Sequence, residues 1–67
     1  MEKQVLYKHG DNIKFMYEDN IKLGVIVIID ADGTFEQNEE PSYDIYVQEE
    51  NCIYKHVRQS QIEREEI

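Results

Sequence analysis

The chain has 67 residues, with seven Lys and Arg against fifteen Asp and Glu, and a formal net charge of −8. This length allows one domain at most and leaves little volume for a lined catalytic pocket. Cys52 is the single cysteine, which excludes an internal disulfide and is typical of a reducing cytoplasm. There is no apolar window of about eighteen residues, and residues 1–4 lack the features of a secretory signal. We therefore expect a cytoplasmic protein without a membrane segment.

The N-terminal part predicts a turn followed by a strand. Residues 9–12 contain Gly, Asp and Asn, which favour turns. Residues 13–17 carry apolar side chains at alternate positions, the pattern of a half-buried strand, although Met16 interrupts the polar face and indicates partial cover there. Upstream, the apolar residues 5–7 predict either a short edge strand or an ordered tail. The polar residues 18–20 end the strand.

Residues 21–29 predict the central strand. Lys22 alternates with two apolar neighbours, whereas residues 25–29 are all β-branched and apolar on both faces. One face of a small antiparallel sheet normally meets water. The run therefore predicts a covering loop, a β-bulge that exchanges the faces, or a partner contact. We favour the first two over a homodimer interface and expect a monomer.

The next stretch predicts a loop and a third strand. Residues 30–42 predict a loop, which includes a tight-turn signal at 32–33, and Pro41 near its end suits the entry to a strand. Residues 42–48 alternate between two faces and predict the third strand. Residues 49–51 predict the turn that follows it.

The C-terminal part predicts a fourth strand, a helical turn and a last short strand. Residues 52–57 have no purely apolar face, which predicts a bend before Val57. Residues 58–61 suit one short helical turn before Ile62 resumes extended structure. Short strands separated by turns predict a small all-β barrel of about five antiparallel strands.

The order of these motifs resembles that of the small SH3-like barrels, including the KOW and Tudor-like groups. Gly-Asp-Asn-Ile-Lys-Phe opens a strand at residues 10–15, Gly-Val-Ile follows at 24–26, and Tyr-Asp-Ile-Tyr-Val stands at 43–47. The resemblance covers about residues 10–63 and implies one SH3-like domain over 1–67 that binds a partner, with fraying ends. The chain also resembles small uncharacterised proteins of phages and mobile elements in low-GC bacteria.

Two groups of residues have the chemistry of metal ligands. Asp30, Asp32 and Glu36 surround a glycine, as in part of a calcium loop, but the remaining ligands and the flanking helices of that motif are missing. A solvated acidic turn is the favoured interpretation. Cys52 and His56 lie about 13 Å apart along a strand, too far to share one ion, and His9 is remote in sequence.

Catalysis has little support in the sequence. Cys52 would need a neighbouring base and an orienting group, and His56 is the single nearby candidate. We expect no catalytic residue, no metal and no cofactor.

The predicted function is binding of an unknown protein partner. Aromatic side chains on the third and fourth strands, beside an acidic loop, are the candidate contacts. These candidates are Phe35, Glu39, Glu40, Tyr46 and Tyr54.

Two alternatives remain open. The first is a KOW-like nucleic-acid face on which cations and a tyrosine hold phosphates and bases, formed by Lys14, Tyr17, Lys22, Lys55 and Arg58. The net charge disfavours this alternative, and ordinary cross-strand pairing explains the same residues. The second is imitation of DNA by residues 30–50, which contain eight acids and no Lys or Arg, although a charge run is usually a solvated face.

Overall fold

The computed structural model of the protein describes residues 4–32 and 40–64. These residues form one antiparallel sheet with the strand order β4-β3-β2-β1-β5, so that β4 and β5 are its two edges. The elements are β1 (Asn12–Tyr17), β2 (Asn20–Asp30), β3 (Ser42–Val47), β4 (Cys52–Arg58), a 3-10 turn (Gln59–Gln61) and β5 (Ile62–Arg64). The prediction of an all-β domain with five antiparallel strands and a helical turn before the last strand is confirmed. Within the described residues, no helix is long and apolar enough to cross a membrane.

A two-residue turn joins β1 to β2. Glu18 and Asp19 both have positive φ angles, 48° and 67°, and Tyr17 lies opposite Asn20 at the end of the hairpin. Two consecutive left-handed residues are the geometry of a type I′ turn, whose twist matches that of the strands on either side. The polar break predicted here is therefore a tight hairpin.

A β-bulge lies in the second half of β2. The register between β2 and β3 shifts between Ile26 and Ile28. Ile26 is fully buried, Ile28 is exposed, and Ile29 packs against the core again. The extra residue in one strand thus exchanges the two faces. The predicted β-bulge is therefore present in the run that is apolar on both sides, and residues 33–39 of the predicted covering loop lie outside the described residues.

A second bulge bends β4 before Val57, where the sequence predicts a bend. Tyr43 pairs with Val57 but Ile45 pairs with Tyr54, so β4 has one residue more than β3 in this interval. His56 takes a φ of 59° there, and its backbone N–H donates to Asp44 Oδ1 at 3.1 Å.

The sheet curls around one core. Phe15 on β1 meets Tyr54 on β4 edge to face, with ring centroids 5.4 Å apart, although two strands lie between them. In a flat sheet, β1 and β4 would lie about 14 Å apart. We call the side that carries the core the inner face and the opposite side the outer face. The buried apolar residues are Tyr7, Ile13, Phe15, Ile26, Tyr43, Ile45, Val47, Val57 and Ile62.

The N-terminal residues form an ordered tail, one of the two predicted alternatives. Tyr7 is buried, and its hydroxyl donates to the backbone oxygen of Ile62 at 2.9 Å. The side chain of Gln59 accepts from Leu6 N at 3.1 Å and donates to Gln4 O at 2.9 Å. Side chains therefore hold this segment against the 3-10 turn and β5.

Candidate binding surface

The first half of β2 turns its lysine toward the core and its apolar side chains outward. Lys22 lies opposite Phe15, and Leu23 lies opposite Lys14. Cross-strand partners point to the same side of a sheet, so the buried Phe15 places Lys22 on the inner face. Leu23 and Ile21 consequently point to the outer face.

The outer face carries a continuous group of large apolar side chains. Met16 on β1 pairs with Ile21 on β2, and Tyr46 on β3 pairs with Val25 on one side and Ile53 on the other. We call this group the outer apolar patch, and it consists of Met16, Ile21, Leu23, Val25, Tyr46 and Ile53. Four of these side chains are 45% to 63% exposed, namely Met16, Ile21, Leu23 and Ile53. The other two are half-buried.

A groove runs through the patch where β2 and β3 separate. The register of the two strands ends at the pair of Val25 and Tyr46, and beyond it the groove encloses about 470 Å³. Its lining residues are Asn12, Leu23, Gly24, Val25, Tyr46, Gln48 and Glu49.

Gly24 lets β2 and β3 approach closely at the base of this groove. A Cβ added to Gly24 would lie 2.4 Å from Ile45 Cγ2 and 2.7 Å from the backbone oxygen of Tyr46. Real Cβ atoms do not come this close to other heavy atoms. The close approach of β2 and β3 therefore depends on a residue without a side chain at position 24.

Acidic side chains border the patch. Glu49 lines the groove. Glu63 on β5 lies opposite Lys14, with 3.6 Å between its Oε2 and the lysine Nζ, and lines a smaller depression of about 150 Å³ beside Met16 and Ile21. A carboxylate thus stands at each of two ends of the apolar surface.

A separate cluster occupies the rim of the inner face. Glu50 Oε2 lies 2.6 Å from Lys22 Nζ, and Glu50 Oε1 accepts from the Tyr54 hydroxyl at 2.5 Å. The Lys22 nitrogen is 5.5 Å from the centre of the Tyr54 ring, and the Tyr17 ring packs edge to face on Tyr54 at 4.7 Å. We call these four residues the Lys22–Glu50 cluster.

The contacts of this cluster shift three pKa values. The hydrogen bond to Lys22 lowers the pKa of Glu50, and the same bond raises the pKa of Lys22. The hydrogen bond to Glu50 raises the pKa of Tyr54. Lys22 and Tyr54 both bond to the Glu50 carboxylate. Because Lys22 is on β2 and Glu50 is in the turn after β3, the cluster joins these two parts of the chain.

The residues predicted to contact a protein partner do not form one surface. Tyr46 is on the outer face, where its hydroxyl donates to Asn51 Oδ1 at 2.8 Å, whereas Tyr54 is on the inner face. The Glu40 carboxylate accepts from the backbone N–H of Ser60 at 2.6 Å and from its hydroxyl at 3.0 Å, and so caps the 3-10 turn. Phe35 and Glu39 lie outside the described residues.

The residues of the alternative nucleic-acid face are also divided. Tyr17 and Lys22 belong to the inner face, and Lys14 belongs to the outer face. Both lysines are in ion pairs, with Glu63 and Glu50 respectively. Lys55 and Arg58 are exposed on the edge strand β4. The expected single basic and aromatic face is therefore not assembled.

The candidate metal ligands are dispersed in the part of the chain that the structure describes. No three His, Cys, Asp or Glu side chains converge there in a metal-binding arrangement. Cys52 is exposed, with its Sγ 3.8 Å from Glu50 Oε1. The backbone N–H of Asp32 donates to Asp30 Oδ1 at 3.2 Å, as in a local turn. Glu36 lies outside the described residues.

No protein-family model matches this chain, and no curated protein or solved structure gives a significant match. The candidate surface is accordingly argued from the geometry of the chain. Sequence reasoning passed over Ile21, Leu23 and Ile53 as surface residues. The available signal was Met16, whose apolar side chain stands on the polar face of β1 and indicated that the outer side is not simply solvated.

Proposed function

We propose that this chain is a non-enzymatic binding module of the cytoplasm, which uses the outer apolar patch to bind another protein. The observation that carries the proposal is an apolar surface that crosses four strands: four exposed side chains on β1, β2 and β4, joined through the half-buried Val25 and Tyr46. Exposed contiguous apolar surface is uncommon on monomeric proteins and marks interaction sites. The resemblance to SH3-like barrels supports the proposal only at the level of the fold, because that fold has many functions.

The patch has the composition of a protein interface. Its centre holds Tyr46 between Val25 and Ile53, and its border holds Glu49 and the ion pair of Lys14 with Glu63. Aromatic anchors surrounded by a polar rim are typical of such interfaces. The hydrogen bond from Tyr46 to Asn51 fixes the ring before binding, which reduces the entropy lost when a partner docks.

The ion pairs and the net charge of the chain make nucleic acid a less favourable partner than protein. Binding to phosphates depends on free Lys and Arg side chains that displace counterions. Lys14 and Lys22 are engaged in ion pairs, and the net charge is −8. The proposal therefore assigns the contacts to apolar side chains.

The test compares three forms of the full chain as baits for a phage-displayed library of random peptides. They are the wild type, Leu23→Asp in the patch and Leu6→Asp as control, because Leu6 is also about half exposed but lies in the N-terminal tail, outside the sheet. We expect the peptides enriched on the wild type to keep their affinity for Leu6→Asp and to lose about tenfold or more on Leu23→Asp.

A second patch variant, Ile53→Asp, separates loss of the surface from loss of the fold. Circular dichroism establishes that each variant is folded. Enrichment of no peptide above the level seen with Leu23→Asp would contradict the proposal. Equal binding to the wild type and to both folded patch variants would contradict it as well.

A further inference from the structure

We infer that the partner of the outer apolar patch is an extended segment with apolar side chains next to Lys or Arg, and that one of its cations binds Glu49. This inference rests on the proposed function and specifies the chemistry of its partner. The apolar side chains would occupy the groove between Leu23, Val25 and Tyr46. The cation would lie at the end of the groove, where Glu49 lines it.

The first argument is the difference between two neighbouring carboxylates. Glu50 is bonded to Lys22 and Tyr54, and this contact shields its charge within the fold. The described ion pairs involve Glu50 and Glu63, and none of them involves Glu49. Glu49 is exposed and lines the groove, so its charge is available to a ligand.

The second argument is the charge of the whole chain. A partner of opposite charge gains in association rate and in specificity from a surface of this sign. A second copy of the chain would instead bring together two molecules that each carry −8. Self-repulsion therefore makes a second copy a worse occupant of the patch than a basic segment.

The third argument is the shape of the site. The groove lies where the register of β2 and β3 ends, and Leu23, Val25 and Tyr46 line it. An opening of about 470 Å³ accepts one or two apolar side chains of a chain that crosses the strands. The alternation of side chains in an extended segment then places a neighbouring residue at the border, beside Glu49.

The experiment uses the peptides enriched on the wild-type chain and measures their dissociation constants by fluorescence anisotropy. We expect these peptides to contain apolar residues adjacent to Lys or Arg. Glu49→Gln should weaken their binding about threefold and Glu49→Lys about tenfold, with a smaller loss at high salt. Glu18→Gln is the matched control and should leave the affinity unchanged, because that exposed carboxylate lies in the turn between β1 and β2 and does not line the groove.

The outcomes distinguish this inference from the proposed function. If the enriched peptides are neutral or acidic, or bind Glu49→Lys as well as the wild type, the inference is wrong, although binding that needs Leu23 would still support a protein-binding patch. If binding does not need Leu23, both fail. Sedimentation provides a further check, since a concentration-dependent dimer that Leu23→Asp abolishes would replace the basic segment with a second copy.

Discussion

The Nζ atom of Lys22 lies 2.6 Å from Glu50 Oε2 and joins the first half of β2 to the turn between β3 and β4. This half of β2 pairs with β1 alone, because its register with β3 begins at Val25. The ion pair therefore links two parts of the sheet that backbone pairing does not. The same nitrogen lies 5.5 Å from the centre of the Tyr54 ring, so the charge of Lys22 contacts both the carboxylate and the aromatic ring.

Replacing Glu50 with Gln is expected to make the free energy of unfolding less sensitive to pH in the acidic range. The pKa of Glu50 is lowered from 4.5 in the folded chain, so its contribution is present above about pH 4.5 and is lost as the pH falls through the folded value. Urea unfolding at several pH values measures this dependence. The difference in unfolding free energy between the wild type and Glu50→Gln should shrink as the pH falls below 4.5.

Titration of Tyr54 at alkaline pH provides a second test of the Glu50→Gln variant. The pKa of Tyr54 is raised in the folded chain. Its contribution to stability is therefore present below pH 10.0 and is lost as the pH rises through the folded pKa. Glu50→Gln should move the Tyr54 titration, followed by ultraviolet absorbance, toward lower pH. Glu49→Gln is the control for both measurements, and an equal effect of the two variants would contradict the assigned ion pair.

Replacing Gly24 with Ala is expected to destabilise the fold strongly. The new Cβ would collide with Ile45 Cγ2 and with the backbone oxygen of Tyr46, which belong to the core strand β3 and cannot move freely. Overpacking of this kind costs about 2 to 3 kcal/mol. Chemical denaturation measures the cost.

Gly10→Ala is the comparison for Gly24→Ala. Gly10 has a φ of 91° but nothing lies within 4 Å of an added Cβ, so this variant bears backbone strain without a collision. The loss in unfolding free energy should be about 1 kcal/mol. A loss at Gly24 no larger than the loss at Gly10 would contradict the close approach of β2 and β3.

Replacing His56 with Gly is expected to stabilise the protein. His56 is exposed and has a φ of 59°, a left-handed conformation that is unfavourable for residues with a Cβ. Glycine relieves this strain and keeps the N–H that donates to Asp44, for a gain of about 0.5 to 1 kcal/mol. Lys55→Gly, at a neighbouring position without a positive φ, should lower stability instead. Loss of stability in both variants would contradict the bulge.

Replacing Tyr7 with Phe is expected to loosen the N-terminal tail. The Tyr7 hydroxyl is the buried donor to the backbone oxygen of Ile62, and its removal leaves that oxygen without this partner. The cost should be about 1 kcal/mol in denaturant unfolding. Tyr46→Phe removes an exposed hydrogen bond, to Asn51, and should cost less. The opposite order of the two costs would contradict the tail's role in closing the core.

The local pattern predicted most of the fold. The strands, the hairpin turn at 18–20 and the helical turn before Ile62 follow from features of consecutive residues, such as β-branching and turn chemistry. The candidate site was less predictable. Tyr46 and Tyr54 stand eight positions apart and were expected to act together, but they lie on opposite faces because β4 pairs Ile53, and not Tyr54, with Tyr46.

The sequence by itself determined where the chain extends, where it turns and that it carries an excess of acid. The tertiary structure decided which side of each strand is inside. An alternating pattern such as Ile21-Lys22-Leu23 is the same whichever face is buried, so the pairing of Lys22 with Phe15 was needed to settle it. The two bulges then exchange faces within β2 and β4, and only the register of neighbouring strands positions such shifts.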